Sequence, residues 1–199
     1  MRKCKILIIT FAVISILFFA GCSNKSMSID MKNKISSIEI SEDILSPKYP
    51  LFMVSGIIHS SAESEKQNKR LYTYFKRNNI DIKEIYQEEL EKALESHNYF
   101  QGKIVENGKY VLTSSILVYG LIYHPNIFSD NYKPVIIVKI DLKSKQTKEL
   151  IWSDSTYISN LNGSSASKLF HEYINNPEGF KKALAEIAQM AIEETLSEI

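Results

Sequence analysis

The chain has 199 residues, 44% of them hydrophobic and 24% charged. That is enough apolar material for one sizeable core. Seven Gly and five Pro exclude a collagen-like or low-complexity chain, and two Cys exclude a disulfide framework or a four-cysteine zinc site. With 24 Lys and Arg against 23 Asp and Glu the formal charge is +1, which argues against a strongly basic nucleic-acid binder.

The N-terminus reads as a secretory address. Arg2, Lys3 and Lys5 precede Ile6–Ala20, an apolar run broken only by Thr10 and Ser15. The cations stay on the cytoplasmic side while the apolar run enters the membrane. As a helix this run would span about 22 Å, short of a hydrocarbon core about 30 Å thick. Phe19-Ala20-Gly21-Cys22 follows directly and resembles the lipobox of bacterial lipoproteins, with Phe19 in place of the usual Leu. The resemblance implies cleavage before Cys22, a signal peptide over residues 1–21, and diacylglycerol and palmitate chains on the Cys22 thiol and new amino group. Two or three chains anchor stably where one does not. Cys4 leaves with the signal, so the mature chain keeps no free thiol, which suits an oxidising compartment. Ser23 stands where Asp commonly signals inner-membrane retention in Gram-negative lipoproteins, and so favours the outer membrane in such an organism.

Residues 22–34 are polar without a period after the cysteine, and are expected to be a lipidated flexible tether. Residues 35–199 are expected to form a single α+β domain facing the periplasm or the cell exterior. Ile35, Ile38 and Ile40 suggest a short strand, Pro47 and Pro50 a break, and Leu51–His59 a continuous apolar strand. Residues 60–79 form a charged excursion in which Lys66, Lys69, Arg70, Lys76 and Arg77 alternate with Tyr72, Tyr74 and Phe75. This mixture could hold phosphate, or be a solvated loop or helix start that packs its rings on the core. A secreted location removes nucleic acid as a partner and leaves lipid headgroup phosphates.

Asp81–His97 carries the first clear amphipathic helix, with Asp81 and Glu84 spaced as a capping box. His97, at its end, reads as a C-terminal cation or half-buried ring. Strands follow at Lys109–His124, Lys133–Leu142 and Lys148–Ser159, the last two joined by the polar turn 143–147. Residues 160–165 read as a loop and Ala166–Asn175 as a short helix. Asn176-Pro177 then opens a second clear helix, with an apolar stripe from Phe180 to Leu196.

Catalytic constellations are not found. His59, His97, His124 and His171 have no metal-ligand spacing, and His171-Glu172 is followed by Asn175 where a zinc-binding helix needs His. Nothing calls for a cofactor or a metal, and the chain is read as a non-enzyme. Val138–Ser155, a hydrophobic strand, polar turn and Trp-bearing strand, resembles a hairpin of bacterial envelope lipoproteins. With a helix before it and a long helix after it, it resembles the domains of outer-membrane accessory lipoproteins of the penicillin-binding-protein activator, curli-secretion and transporter-auxiliary kinds. This implies a mostly antiparallel sheet of about four to five strands with two main helices on one face. It also implies an accessory or scaffold role with an envelope protein complex as partner. The alternative is a small or lipid ligand held between sheet and helices. The partner surface is expected at Tyr123–Tyr132, read as a long connection that carries Tyr123, Ile127, Phe128 and Tyr132 among small polar residues. In that segment Ile127 and Phe128 could instead fold back as cover for the core.

Overall fold

A computed structural model describes residues 27–54, 62–126, 129–156 and 168–199. The expected α+β class is what it shows: one mixed sheet with helices against one face.

The spine is a hairpin. Strand β3 (Tyr110–Asn126) and strand β4 (Ser129–Ser144) pair antiparallel over their whole length, from Tyr110 opposite Ser144 to Asn126 opposite Ser129. The long connection expected at Tyr123–Tyr132 is therefore strand on both sides, and Tyr123 faces Tyr132 across the ladder. Pro125 and Pro134 did not end the strands. A proline lacks its own N–H; Pro125 lies beside the hairpin tip, and Pro134 lies between the β6 and β5 pairings, where no described strand pairs the outer edge of β4.

The other strands line the two edges of this hairpin. Along β3 runs one interrupted parallel segment: β1 (Ile38–Ile40), a single bridge from Leu45 to Ser115, and β2 (Leu51–Val54). Pro47 and Pro50 fall between the bridge and β2, so the break read from them is real, but the chain resumes the same edge. Along β4 run β5 (Leu150–Ser155) and the two-residue β6 (Lys168–Leu169), both antiparallel. Among the described residues the sheet thus has six strands, mostly antiparallel as expected, with only the short β1 and β2 parallel to β3.

Glycine makes the β3 edge possible at both ends. Gly120 has φ +146°, and a Cβ there would lie 1.9 Å from the Leu51 carbonyl oxygen. A Cβ on Gly108 would lie 2.4 Å from the Glu39 amide nitrogen. No side chain fits at either crossing.

Alternation along the ladder sorts the faces. Leu112, Leu142 and Trp152 are cross-strand neighbours and fully buried, as are Ile116 and Val138, and Tyr119 and Ile136. On the reverse face Asp141 lies between Lys139 and Lys143, and its oxygen accepts from the Ser153 hydroxyl at 2.7 Å. A bulge at Leu117 restores the phase between Ile116 and Val118 and leaves Leu117 exposed.

Five helices are described. α1 (Ile29–Lys34) is a short turn with Ser28 as N-cap. Met27 and Ile35 at its two ends are buried, so the tether expected over 22–34 is folded from Met27 onward. α2 (Ala62–Arg77) replaces the expected loop or helix start with a full helix. It buries Leu71 and Phe75, and Asn68 Oδ1 accepts the Phe52 amide of β2 at 2.7 Å. α3 (Ile82–Ser96) starts at Asp81 as expected, but the Asp81 carboxylate takes the Lys83 N–H at 2.8 Å, one residue before the capping-box partner. α4 (Phe170–Ile174) is the short helix expected near the end. α5 (Pro177–Leu196) has Asn176 accepting from Gly179 N–H at 2.9 Å and Pro177 at its first turn.

α3 and α5, the two main helices expected, pack on each other, and α5 also packs on β4 and β5; α2 packs on β2. Phe75, Tyr119 and Phe180 join α2, β3 and α5 in one aromatic contact, with ring centroids 5.4–6.1 Å apart. The Tyr74 hydroxyl donates to the Tyr173 carbonyl at 2.9 Å and ties α2 to α4.

The apolar stripe of α5 is core throughout, with Phe180, Leu184, Ala188 and Ile192 fully buried. Leu184→Ala should cost about 2–5 kcal/mol in chemical denaturation, while Lys181→Ala on the other face should leave the midpoint unchanged. Gly120→Ala should destabilise at least as much as Leu184→Ala, because the Leu51 backbone cannot yield without breaking the β2 pairing. Leu117→Ser at the bulge should be nearly silent in the same measurement.

Candidate functional site

Two groups of residues stand near the hairpin tip. The first contains the expected partner residues. Tyr123 and Tyr132 pair directly, with ring centroids 5.2 Å apart, and Tyr132 also meets Phe52 of β2 at 5.4 Å. Their position in the alternation puts all three rings on the helix side of the sheet, where Tyr132 and Phe52 pack against the core. The structure therefore brings Tyr123 and Tyr132 together and gives Tyr132 an internal partner. Ile127 and Phe128 lie outside the described residues, as does Cys22.

The second group comes from the charged segment 60–79, for which phosphate binding and a solvated loop or helix start packing its rings on the core are the two expected readings. On α2, Lys66, Lys69, Arg70, Thr73 and Arg77 recur at steps of three and four and fall on one exposed stripe. They border an open groove of about 630 Å³ together with Glu65 and Tyr74. Glu65 is held 2.7 Å from Lys69, and this hydrogen-bonded pair lowers the Glu65 carboxyl and raises the Lys69 ammonium. The aromatic residues between the cations have other tasks. Phe75 is core, Tyr74 reaches α4, and Tyr72 packs edge-on against Tyr49 at 5.0 Å with the Lys76 ammonium 5.1 Å from its ring. Helical spacing in residues 66–77 was the signal that would have separated the two sets beforehand.

The space between helices and sheet is filled, among the described residues, by Trp152, Tyr86, Phe100, Phe180, Leu112 and Ile116, each almost fully buried. Burial raises the Tyr86 hydroxyl well above its usual range, and it and the Ser114 hydroxyl are buried there without a well-formed hydrogen bond.

His97 is the C-cap of α3. Its ring Nδ1 accepts the Tyr99 N–H at 3.2 Å, and burial lowers its pKa below the usual imidazole value, partly opposed by the Leu196 carbonyl. Of the two roles expected for it, the half-buried ring is the one its burial fits. Among the described residues no group of three or more His, Cys, Asp and Glu is placed to hold a metal ion. Among them, too, no helix is long and apolar enough to cross a membrane.

Two carboxylates carry opposite electrostatic balances. Burial pushes Asp141 up, but the Ser153 hydroxyl and the Lys139 and Lys143 ammonium groups outweigh it and leave its pKa below 3.8. Asp154 is buried at the end of β5, and burial, with Glu198 and Glu194 nearby, raises it above 3.8 despite the Ser155 N–H. A lowered carboxyl stabilises the fold above its unfolded pKa, and this contribution is lost as pH falls through the folded value. A raised one stabilises only at low pH, and this is lost as pH rises through the folded value. Asp141→Asn should therefore lower the melting temperature at pH 7, with the gap to wild type closing as the pH falls below about 4. Asp154→Asn should raise the melting temperature at pH 7 and lose this advantage in acid. Thermal melts of the three proteins across pH 3–8 check both signs.

No family model matches the chain, and no curated protein matches it. Solved structures do show likeness. Protein XCC0632 from Xanthomonas campestris, a DUF330 protein, is 10% identical over 82% of this chain and 85% of its own, with a TM-score of 0.44. A PelC dodecamer from Paraburkholderia phytofirmans is 12% identical over 89% of this chain and 94% of its own, with a TM-score of 0.35. Lipoprotein GNA1162 from Neisseria meningitidis is 16% identical over 61% of this chain and 80% of its own, with a TM-score of 0.24.

Proposed function

We propose that this chain is a lipid-anchored bacterial envelope protein, a non-enzymatic accessory or scaffold that binds a protein complex of the cell envelope. The observation that carries the reading is Phe19-Ala20-Gly21-Cys22 directly after a cationic start and a 15-residue apolar run. Acylation of Cys22 would hold the domain at a membrane on its outer side, and Ser23 favours the outer membrane where there is one. The filled space between helices and sheet supports protein binding over a ligand enclosed there.

The partner surface we propose is the hairpin tip, with Tyr123, Ile127, Phe128 and Tyr132. Strand pairing holds Tyr123 and Tyr132 in fixed register beside this segment, which lowers the entropic cost of presenting an aromatic group there. Tyr132 also supports the fold through Phe52, so its truncation would mix two effects. Phe128→Ala is the cleaner substitution.

Cys22→Ala should leave an unprocessed precursor that incorporates no labelled palmitate in growing cells; normal labelling of that variant would refute the anchor. Phe128→Ala should leave the melting temperature within about 1 °C of wild type, because surface changes usually stay within ±0.5 kcal/mol. The same variant should lose in-cell crosslinking to the partner. A fall of many degrees would instead mark Phe128 as cover for the core.

A further inference from the structure

The place where the described chain begins bears on how the domain sits at its membrane. Met27 is buried, and the Tyr99 hydroxyl meets its sulfur at 3.7 Å while also reaching the Lys32 carbonyl at 3.3 Å. Five peptide units separate Met27 from Cys22, and they span at most about 18 Å. Strand β3, 17 residues long, measures about 55 Å. If Cys22 is acylated, the domain cannot drift away on its anchor, and one end of it must stay at the bilayer surface.

That end is defined by contacts. The Tyr110 amide, at the start of β3, donates to the Ser37 carbonyl at 3.2 Å just after α1, and Ser144, the last residue of β4, is paired opposite Tyr110. The Lys145 amide donates to the Lys109 carbonyl at 3.0 Å, which brings the β4–β5 turn to the same end. The hairpin tip and β2 lie at the other end of the ladder.

The exposed groups at this end suit a lipid surface. Ile29, two residues after Met27, is 75% exposed on the first turn of α1. Lys34, Lys109 and Lys148 are exposed, and Lys103 stands 3.5 Å above the Tyr99 ring. Asp30, Glu106 and Glu149 oppose them, while Glu39 is already paired with Lys145. Lysines near an anionic bilayer are drawn to its surface, and one large apolar side chain at the interface adds to this.

Resting on the acylation of Cys22, we propose that this end lies against an anionic phospholipid surface. Ile29 enters the interface, and Lys34, Lys103, Lys109 and Lys148 meet the headgroup phosphates. The hairpin tip and the basic stripe of α2 then project into the aqueous compartment. The stripe is the competing basic surface, and it stands at the wrong end of the ladder for a short anchor.

The full lipidated protein can test this in vesicles of phosphatidylcholine with phosphatidylglycerol. The acylated mature chain has no other thiol, so single cysteines at Ile29→Cys, Lys34→Cys and Thr73→Cys can each carry a fluorophore. Headgroup-nitroxide lipids should quench the probes at 29 and 34 and leave the probe at 73 bright. Changing Lys34, Lys103, Lys109 and Lys148 to Gln should abolish the difference in quenching at 29 between vesicles with and without phosphatidylglycerol. The quadruple variant also removes the Lys103 ammonium from the Tyr99 ring, and its melting temperature reports whether it has folded. The intact mass of the vesicle-bound protein separates the two levels. Absence of acyl mass overturns the anchor and this orientation together. Full acyl mass with a bright probe at 29, or a quenched probe at 73, overturns the orientation alone.

Discussion

The antiparallel pairing of β3 with β4 is the constraint on which the rest of the fold depends. Among the described residues the other strands each add to one outer edge of this hairpin, and its inner face carries buried rows of the core. The register Leu112–Leu142–Trp152 sets one row and Ile116–Val138 the next. A slip of one residue would turn these apolar rows to the polar face and bring Asp141, Lys139 and Lys143 inward. Burying three charges so far from water would cost far more than the ladder could offset. The bulge at Leu117 absorbs the one change of phase the hairpin makes.

The two ends of the hairpin differ in kind. At the Tyr110 end α1, the 97–109 connection and the β4–β5 turn converge through Tyr99, Lys103 and Ser37, whose Oγ accepts the Lys109 amide at 3.1 Å. At the other end, α2 covers β2 and offers Lys66, Lys69, Arg70 and Arg77 to solvent. The basic residues are thus divided between the two poles, with the polar reverse face of the sheet between them. An overall charge of +1 conceals this distribution.

Several polar groups inside the fold hold two elements in a fixed relation. Thr156 bonds the Ala191 carbonyl and the Thr195 hydroxyl, and so fastens the end of β5 to the last turns of α5. Asn68 closes the outer edge of β2, which would otherwise present an open amide to another strand. The Tyr74 hydroxyl does the same kind of work between α2 and α4. Such bonds add little net stability each, but leaving their buried partners unmet would be costly.

Local chemistry alone determined α3 and α5. Their apolar residues recur at helical spacing, and Asp81 and Asn176-Pro177 supply the N–H partners and the φ value that a helix start requires. It also determined the α+β class and the β4–β5 hairpin, where a polar turn separates two apolar runs. Tertiary structure decided what depends on partners distant in the chain. The sequence from Tyr123 to Tyr132 contains Pro, Asn, Asp and Ser and looks like a loop, yet strand pairing extends through much of it, because the neighbouring ladder and Phe52 hold Tyr132 in place. Residues 62–77 carry too many charges to look like a core helix, and only the contacts of Leu71, Tyr74 and Phe75 with α4, α5 and β3 show which narrow face is buried. Met27 and Ile35 are apolar residues in a polar stretch, and their burial depends on Tyr99 and the neighbouring core residues, which no local window contains. The crossings at Gly108 and Gly120 likewise follow from segments about 70 residues earlier in the chain. Local propensity is written in neighbouring residues, whereas edge pairing and burial are settled by whichever distant backbone arrives.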